Sequence, residues 1–218
     1  MTRGKIAVLI SGSGSNLQAL IDSFDGRNRG EIALVVSNRA DAFGLQRAAK
    51  AGIEHIHLPK YKSQSRADYD DLLSQTLKEK DIEWVVCAGF MRILGSAFVQ
   101  EWRERIINIH PSLLPAFPGT EAIKQAINAR VRIAGATVHF VDEGTDTGPI
   151  IAQSAIAVGN LDTVESLKAR VLVTEHKLLP KAVMWAVDGR ISINDGVVTI
   201  SEAEQPVISI FSPIVESE

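Results

Sequence analysis

The stretch Ile107-Asn108-Ile109-His110-Pro111-Ser112-Leu113-Leu114-Pro115 carries more potential chemistry than any other in this 218-residue chain. On an extended strand, side chains alternate, so Asn108 and His110 project to one face and Ile107 and Ile109 to the other. A carboxamide and an imidazole therefore converge at a strand end, just before a rigid proline loop. Downstream, Asp142-Glu143-Gly144-Thr145-Asp146-Thr147-Gly148 reads as a tight acidic loop between two strands. A carboxylate brought to a histidine holds it charged by Coulomb attraction and hydrogen bonding. Around a phosphorylated amine, these residue types suit acyl transfer between nitrogens. That reaction needs a neutral amine, a stabilised oxyanion and a proton for the departing nitrogen. Asn108 can donate an amide N–H to the oxyanion, worth about 3–4 kcal/mol in well-placed sites. His110, from a reference pKa of about 6.5, can add positive charge and pass a proton. Asp146 would raise the histidine pKa and orient it or a bridging water. The competing reading is a histidine satisfied by loop carbonyls beside an asparagine making a turn.

Two other chemistries fit less well. Calcium would suit the acidic loop, but the ligand order D-x-[DN]-x-[DN]-G-x₅-E is missing. Ser112 lies close to His110 in sequence, but a hydroxyl two residues on has no evident base of its own, which argues against a serine hydrolase.

A second site is written into Gly12-Ser13-Gly14-Ser15-Asn16, between the first apolar run and the first helical pattern. Glycines let the backbone approach a ligand closely, and a helix N-terminus presents free N–H groups to an anion. Leu17 stands where a third glycine would complete GxGxxG, and Asn38-Arg39 replaces the acidic ribose partner after the second strand. No Gly-Lys-Ser/Thr occurs, so a Walker loop fails as well. A compact phosphomonoester fits better than a pyrophosphate; the alternative is a flexible turn with a Ser or Asn cap. Glu175 falls on the apolar face of a long helix, where a carboxylate must find a partner or bear a heavy desolvation cost. An internal salt bridge is its structural explanation.

The elements that must position these groups follow from periodicity. Strands are expected at Lys5–Ile10, Ile32–Ser37, Glu54–Leu58, Glu83–Ala88, Arg105–Ile109, Ala134–Val141 and Ile150–Val158. Helices are expected at Asn16–Phe24, Ala42–Ala51, Arg66–Lys80 and Thr120–Ala129. Strands alternating with helices imply parallel crossovers and an α/β sheet covered on both faces. Asp162-Thr163-Val164-Glu165 resembles a capping box opening a long helix, with Val164, Leu167, Val171, Leu178, Ala182 and Ala186 on its apolar face. Pro180 should kink or interrupt that helix. Asn194-Asp195-Gly196 signals a hairpin between Ile191–Ile193 and Val197–Ile200. The acidic tail from Glu202 is expected to be loosely held. His55 and His57 alternate on a strand and are expected to be structural or exposed; His139 fits a structural hydrogen bond about as well as a catalytic role and stays outside the catalytic set.

A formal charge of −3 excludes a general basic footprint for duplex nucleic acid or anionic membrane, though not a local basic pocket. The single cysteine, Cys87, excludes an internal disulfide framework and a Cys-rich zinc site, and fits a reducing cytosol. No apolar run approaches the roughly 18 residues of a membrane span.

Four segments occur in order between about Lys5 and Gly189: ISGSGSNLQALID, CAGFMRIL, NIHPSLLPAFPG and GATVHFVDEGTDTGPIIAQ. Together they resemble the folate-dependent formyltransferases. NIHPSLLP marks that wider family, and the opening SGSGSN with this chain length is similar to its phosphoribosylglycinamide formyltransferase (glycinamide ribonucleotide transformylase) branch. The resemblance implies an open, mainly parallel Rossmann-like sheet with helices on both faces, in one domain over 1–218. Its N-terminal ribonucleotide-phosphate half would cover about 1–100, and its folate-binding and catalytic half about 101–200. The implied reaction moves a formyl group from the co-substrate 10-formyltetrahydrofolate to the amine of glycinamide ribonucleotide, in purine biosynthesis, without a metal. By the same resemblance, Asn108, His110 and Asp146 are the catalytic set, and Gly14, Ser15, Asn16 and Glu175 hold the ribonucleotide. Arg66, Met91, Arg92, Ile93, Leu94, Asn108, Val141, Asp142, Glu143 and Asp146 line the folate cleft; simple core packing is the other explanation for Phe90 to Leu94, and a solvated helix-start charge for Arg66. A cytoplasmic monomer or homodimer, with small-molecule partners and neither nucleic acid nor membrane, is expected.

The chain departs from the pattern at Thr120-Glu121-Ala122-Ile123, where some members carry histidines, and at Thr147, where some carry glycine. Formyltetrahydrofolate hydrolase shares the catalytic residues but usually carries an extra N-terminal domain. Methionyl-tRNA formyltransferase would need an added RNA-binding domain. A non-catalytic phospholigand sensor is the reading from a different class.

Overall fold

Near-continuous apolar runs such as Ile6–Ile10 and Ala33–Val36 are insoluble as lone strands and require cover on both faces. The computed structural model describes residues 4–24, 29–61 and 63–202. In chain order it forms β1 (Gly4–Ile10), α1 (Ser15–Ser23), β2 (Gly30–Ser37), α2 (Phe43–Lys50), β3 (Glu54–His57), α3 (Arg66–Glu79), β4 (Trp84–Cys87) and α4 (Ser96–Glu101). There follow β5 (Ile106–His110), α5 (Ala122–Asn128), β6 (Ile133–Phe140), β7 (Ile150–Ala157), α6 (Val164–Val187), β8 (Ile191–Asn194) and β9 (Val197–Ile200).

The main sheet runs β3-β2-β1-β4-β5-β6-β7. Strands β1 to β5 pair in parallel, and β6 and β7 add antiparallel. The strand order reverses direction between β1 and β4, and ligands in such sheets bind in the crevice beyond the strand carboxyl ends at that point. The phosphate-loop candidate, the Met91–Leu94 segment and the end of β5 all lie at that edge.

Alternation divides the core in two. Ile6, Val8, Ile10, Val86, Ile107 and Ile109 face a layer containing Leu17 and Leu20 of α1 and Leu167, Val171 and Val183 of α6. Ala7, Leu9, Val85, Cys87 and Ile106 face Tyr69, Leu73 and Leu77 of α3 and Phe98 and Val99 of α4. Asn108 and His110 share parity with Ile106, so they stand on the α3/α4 side, as the two-residue period requires.

Several details differ from the sequence expectation. Helix α4 was not anticipated: it is too short to show a period, and burial of Phe98, Val99 and the following Trp102 holds it. Helix α6 caps one residue later than expected: Thr163 Oγ1 accepts from Ser166 N at 3.2 Å, and Ser166 Oγ accepts from Thr163 N at 2.9 Å. Pro180 does not interrupt α6, which runs 24 residues through it. Leu179, Pro180, Ala182, Val183 and Ala186 are all buried there, and each large apolar side chain removed from water contributes about 1.5–3 kcal/mol, enough to offset one missing donor. The tail expectation concerns residues 203–218, outside those described. Among the described residues, no helix is long and apolar enough to cross a membrane.

Candidate active site

The β1–α1 loop owes its shape to close packing. Gly14 sits at φ +68, and a Cβ there would meet Gly44 Cα of α2 at 2.6 Å. Only glycine tolerates both demands. Gly14 is the N-cap of α1 and supplies no side-chain cap, so neither serine nor Asn16 caps the helix and its first N–H groups stay open to an anion. Ser15 is half-buried at the helix start. Arg47 of α2 donates through Nε to the Ser13 carbonyl at 2.9 Å and through Nη1 to Gln18 Oε1 at 3.1 Å. This cation beside the loop had no local sequence signal, because it arrives through the Gly14–Gly44 approach.

Asn16 is buried and donates through Nδ2 to Glu175 Oε2 at 2.7 Å, while its Oδ1 has no partner. Glu175 thus finds an amide rather than the salt bridge considered from sequence. Burial raises its pKa; the Asn16 hydrogen bond and the field of Lys168 oppose the rise. Residues of α1 and α6, 159 positions apart, therefore share one contact.

At the end of β5 the expected trio comes together. His110 is 5% exposed, and its Nδ1 lies 3.3 Å from Asp146 Oδ2. Its Nε2 is 2.9 Å from the Phe117 carbonyl. The loop-carbonyl alternative is thus half realised, since the ring meets a carboxylate on one side and a carbonyl on the other. The Gly119 N–H donates to Asp146 Oδ2 at 2.7 Å, tying the proline loop to the acidic one. Burial opposes ionisation of Asp146, but hydrogen bonding with His139, the Gly119 N–H and the fields of both histidines outweigh it, leaving its pKa lowered.

His139 belongs to this cluster, although sequence reasoning leaves it outside the catalytic set. It pairs directly opposite Asn108 in the antiparallel register of β5 and β6. Its Nδ1 is 2.8 Å from the Phe140 carbonyl, and its Nε2 is 3.1 Å from Asn108 Nδ2 and 3.6 Å from Asp146 Oδ1. With the proton on Nδ1, Nε2 accepts from Asn108; a second proton turns the same nitrogen into a donor toward Asp146. Parity sets Thr137 and His139 on one face of β6, opposite Ala136, Val138 and Phe140, but it does not say which strand that face meets.

The remaining residues divide. Met91 and Ile93 are 73% and 67% exposed, whereas Phe90 and Leu94 pack on the α3/α4 core. Core packing therefore explains half of that segment only. Arg92 lies with its guanidinium 4.1 Å over the Tyr69 ring. Arg66 is exposed at the start of α3, and Val141 is half-buried with its N–H donating to the Ile106 carbonyl at 2.9 Å. Asp142 Oδ1 accepts from Gly144 N at 3.1 Å and Thr147 Oγ1 at 2.7 Å, so its carboxylate is occupied in shaping the loop. Glu143 is exposed and accepts from Gln100 at 2.9 Å. His55 and His57 are exposed on β3, the outermost strand of the sheet on the far side of β1 from β5.

Comparison with known proteins agrees with this architecture. The family model described as formyl transferase matches residues 4–183. A phosphoribosylglycinamide formyltransferase of Escherichia coli (strain K12) is 43% identical over 191 residues, covering 87% of this chain and 90% of that one. A trifunctional purine biosynthetic protein adenosine-3 of Drosophila pseudoobscura pseudoobscura is 50% identical over 190 residues, but the match spans only 14% of its length. The crystal structure of glycinamide ribonucleotide transformylase 1 from Symbiobacterium toebii superposes with a TM-score of 0.88 at 46% identity, covering 91% of this chain and 94% of that one.

Proposed function

The chain belongs to the formyl transferase family, and from that premise we propose that it transfers the formyl group of 10-formyltetrahydrofolate to the amine of glycinamide ribonucleotide, a step of purine biosynthesis. The observation that carries the reading is the meeting of Asn108, His110, His139 and Asp146 across the antiparallel pair of β5 and β6, in a sheet whose β1–α1 glycine loop is uncapped. The folate fits the exposed apolar edge of Met91 and Ile93, an arrangement that water alone does not favour. When bound, it supplies an activated one-carbon unit.

In this reading the residues divide the work. The open N–H groups at α1, with Ser15 and Arg47, bind the phosphate. Glu175, oriented by Asn16, accepts hydrogen bonds from the sugar. Asn108 donates an amide N–H to the carbonyl oxygen as it takes on negative charge; His139 fixes which way that amide faces. His110 passes a proton to the departing nitrogen, and Asp146 steadies the imidazole while it does so. Burial of the cluster strengthens each of these interactions.

The test is to mix the protein with 10-formyltetrahydrofolate, with and without glycinamide ribonucleotide, and follow deformylated folate. Ribonucleotide-dependent release is expected. Equal release without it would assign the chain to hydrolysis, and no release under either condition would leave only ligand binding.

A further inference from the structure

Tyr69 Oη, Asp70 Oδ1 and Arg92 Nε are all buried without a hydrogen-bond partner. Tyr69 is 0% and Asp70 4% exposed, and both lie on α3. Leaving such groups unpaired costs stability, so the cluster is not explained by the fold alone. What it surrounds is the segment from Met91 to Gly95.

That segment is a strap fastened at both ends by side chains of other elements. At one end, Met91 N–H donates to Ser11 Oγ at 2.8 Å, and Ser11 in turn donates to Asn38 Oδ1 at 2.6 Å. At the other, Gly95 N–H donates to Asp70 Oδ2 at 2.7 Å. In the middle, Arg92 stacks on Tyr69. Between the fastenings stand Met91 and Ile93, the two most exposed side chains of the strap. A Cβ on Gly95 would come within 2.9 Å of Asp70 Oδ2 and 3.7 Å of Arg66 Cδ, so the approach needs glycine. Burial raises the Asp70 pKa, and the Gly95 N–H and the fields of Arg92 and Arg66 act against the rise.

We propose that Asp70 is a positioning residue for the folate: its carboxylate pins Gly95 beneath the strap, next to the stack of Arg92 on Tyr69, so that Met91 and Ile93 form a fixed apolar edge. Asp70 itself stays beneath the strap and touches no reacting atom. The inference rests on the formyltransferase reading and adds to it a residue outside the family motifs quoted above.

Asp70→Asn keeps the shape and an oxygen for Gly95 while removing the charge. It should raise the KM for folate about tenfold, the size expected when one charge-assisted contact is lost. The KM for ribonucleotide and kcat should stay within about twofold of wild type, and the melting temperature should not fall. Gly95→Ala, which crowds the same contact, should give the same selective rise if Asp70→Asn does not fold. A folate KM unchanged in the folded variant overturns the proposal. So does a rise of both KM values together with a fall in kcat and in melting temperature, which would mark a packing role. Equilibrium binding of tetrahydrofolate, read by tryptophan fluorescence, separates this from the reading beneath it. Wild-type protein that binds but does not transfer sinks the reaction and leaves the strap testable; wild-type protein that does not bind sinks both.

Discussion

Asp146 and Glu175 are both carboxylates drawn out of water near the crevice of one sheet, and their surroundings treat them in opposite ways. Asp146 receives the Gly119 N–H and sits between two histidines, and its pKa is lowered despite burial. Glu175 has one amide donor, from Asn16, and its pKa is raised by burial. In the first region the protein supplies its own compensation before any ligand arrives. In the second it leaves the charge under-compensated, as the proposed ribonucleotide site would require, with the hydroxyls of a sugar as the remaining donors. Preassembled electrostatics belong to the chemical step, whereas incomplete ones belong to binding.

The contrast is most easily broken at Asp146. Asp146→Asn should lower kcat on the order of 10²–10⁴-fold, the range for a supported acid–base group, while the ribonucleotide KM moves only a few-fold. Steady-state kinetics with each substrate varied would check this. Equal loss of kcat and of ribonucleotide affinity would erase the distinction between the two carboxylates.

A smaller and two-sided effect is expected at Glu175. Glu175→Gln keeps an oxygen to accept from Asn16 and removes a buried charge. The ribonucleotide KM should rise about tenfold with kcat nearly intact, as for one charge-assisted contact. The melting temperature should rise by about 2–4 °C, because roughly 1 kcal/mol of desolvation cost is removed. Calorimetry of the free protein reads the second half of this prediction independently of substrate. A destabilised Glu175→Gln would mean that the carboxylate is compensated in the free protein after all.

The two regions also differ in how legible they were. The glycine loop could be read locally as a turn at a helix start, because Gly12 and Gly14 announce it, although the Gly44 contact that fixes its shape could not. Asn108 and His110 were legible from strand parity, and Asp146 from its loop. His139 could be placed only once β6 was known to run antiparallel to β5, and Arg47 only once Gly14 and Gly44 were seen to touch. Those are long-range facts that no periodicity encodes. Helix α4 escaped for a related reason, since six residues held by packing carry too little pattern. At Pro180, local propensity pointed to a break and burial of the surrounding face overrode it. The partner of Glu175 was foreseen as a charge and found as an amide, because sequence shows that a buried carboxylate needs a partner without showing which.

The smallest effect sharpens the comparison through pH. Asp146 has a folded-state pKa below its ordinary value of 3.8. Its stabilising contribution is therefore complete above that value and disappears as pH falls through the lowered one. Glu175 has a folded-state pKa above its ordinary value of 4.5. Its cost to the fold is therefore complete above the raised value and disappears as pH falls to 4.5. On acidification the stability gap between wild type and Glu175→Gln should close first. Only at lower pH should the gap between wild type and Asp146→Asn close, and from the opposite side, with wild type the more stable protein at neutral pH. Urea unfolding of the three proteins from about pH 7 to about pH 3 would record both slopes. Slopes of the same sign would mean that the two carboxylates share one kind of environment, and the division between a prepared chemical site and an incomplete binding site would go with them.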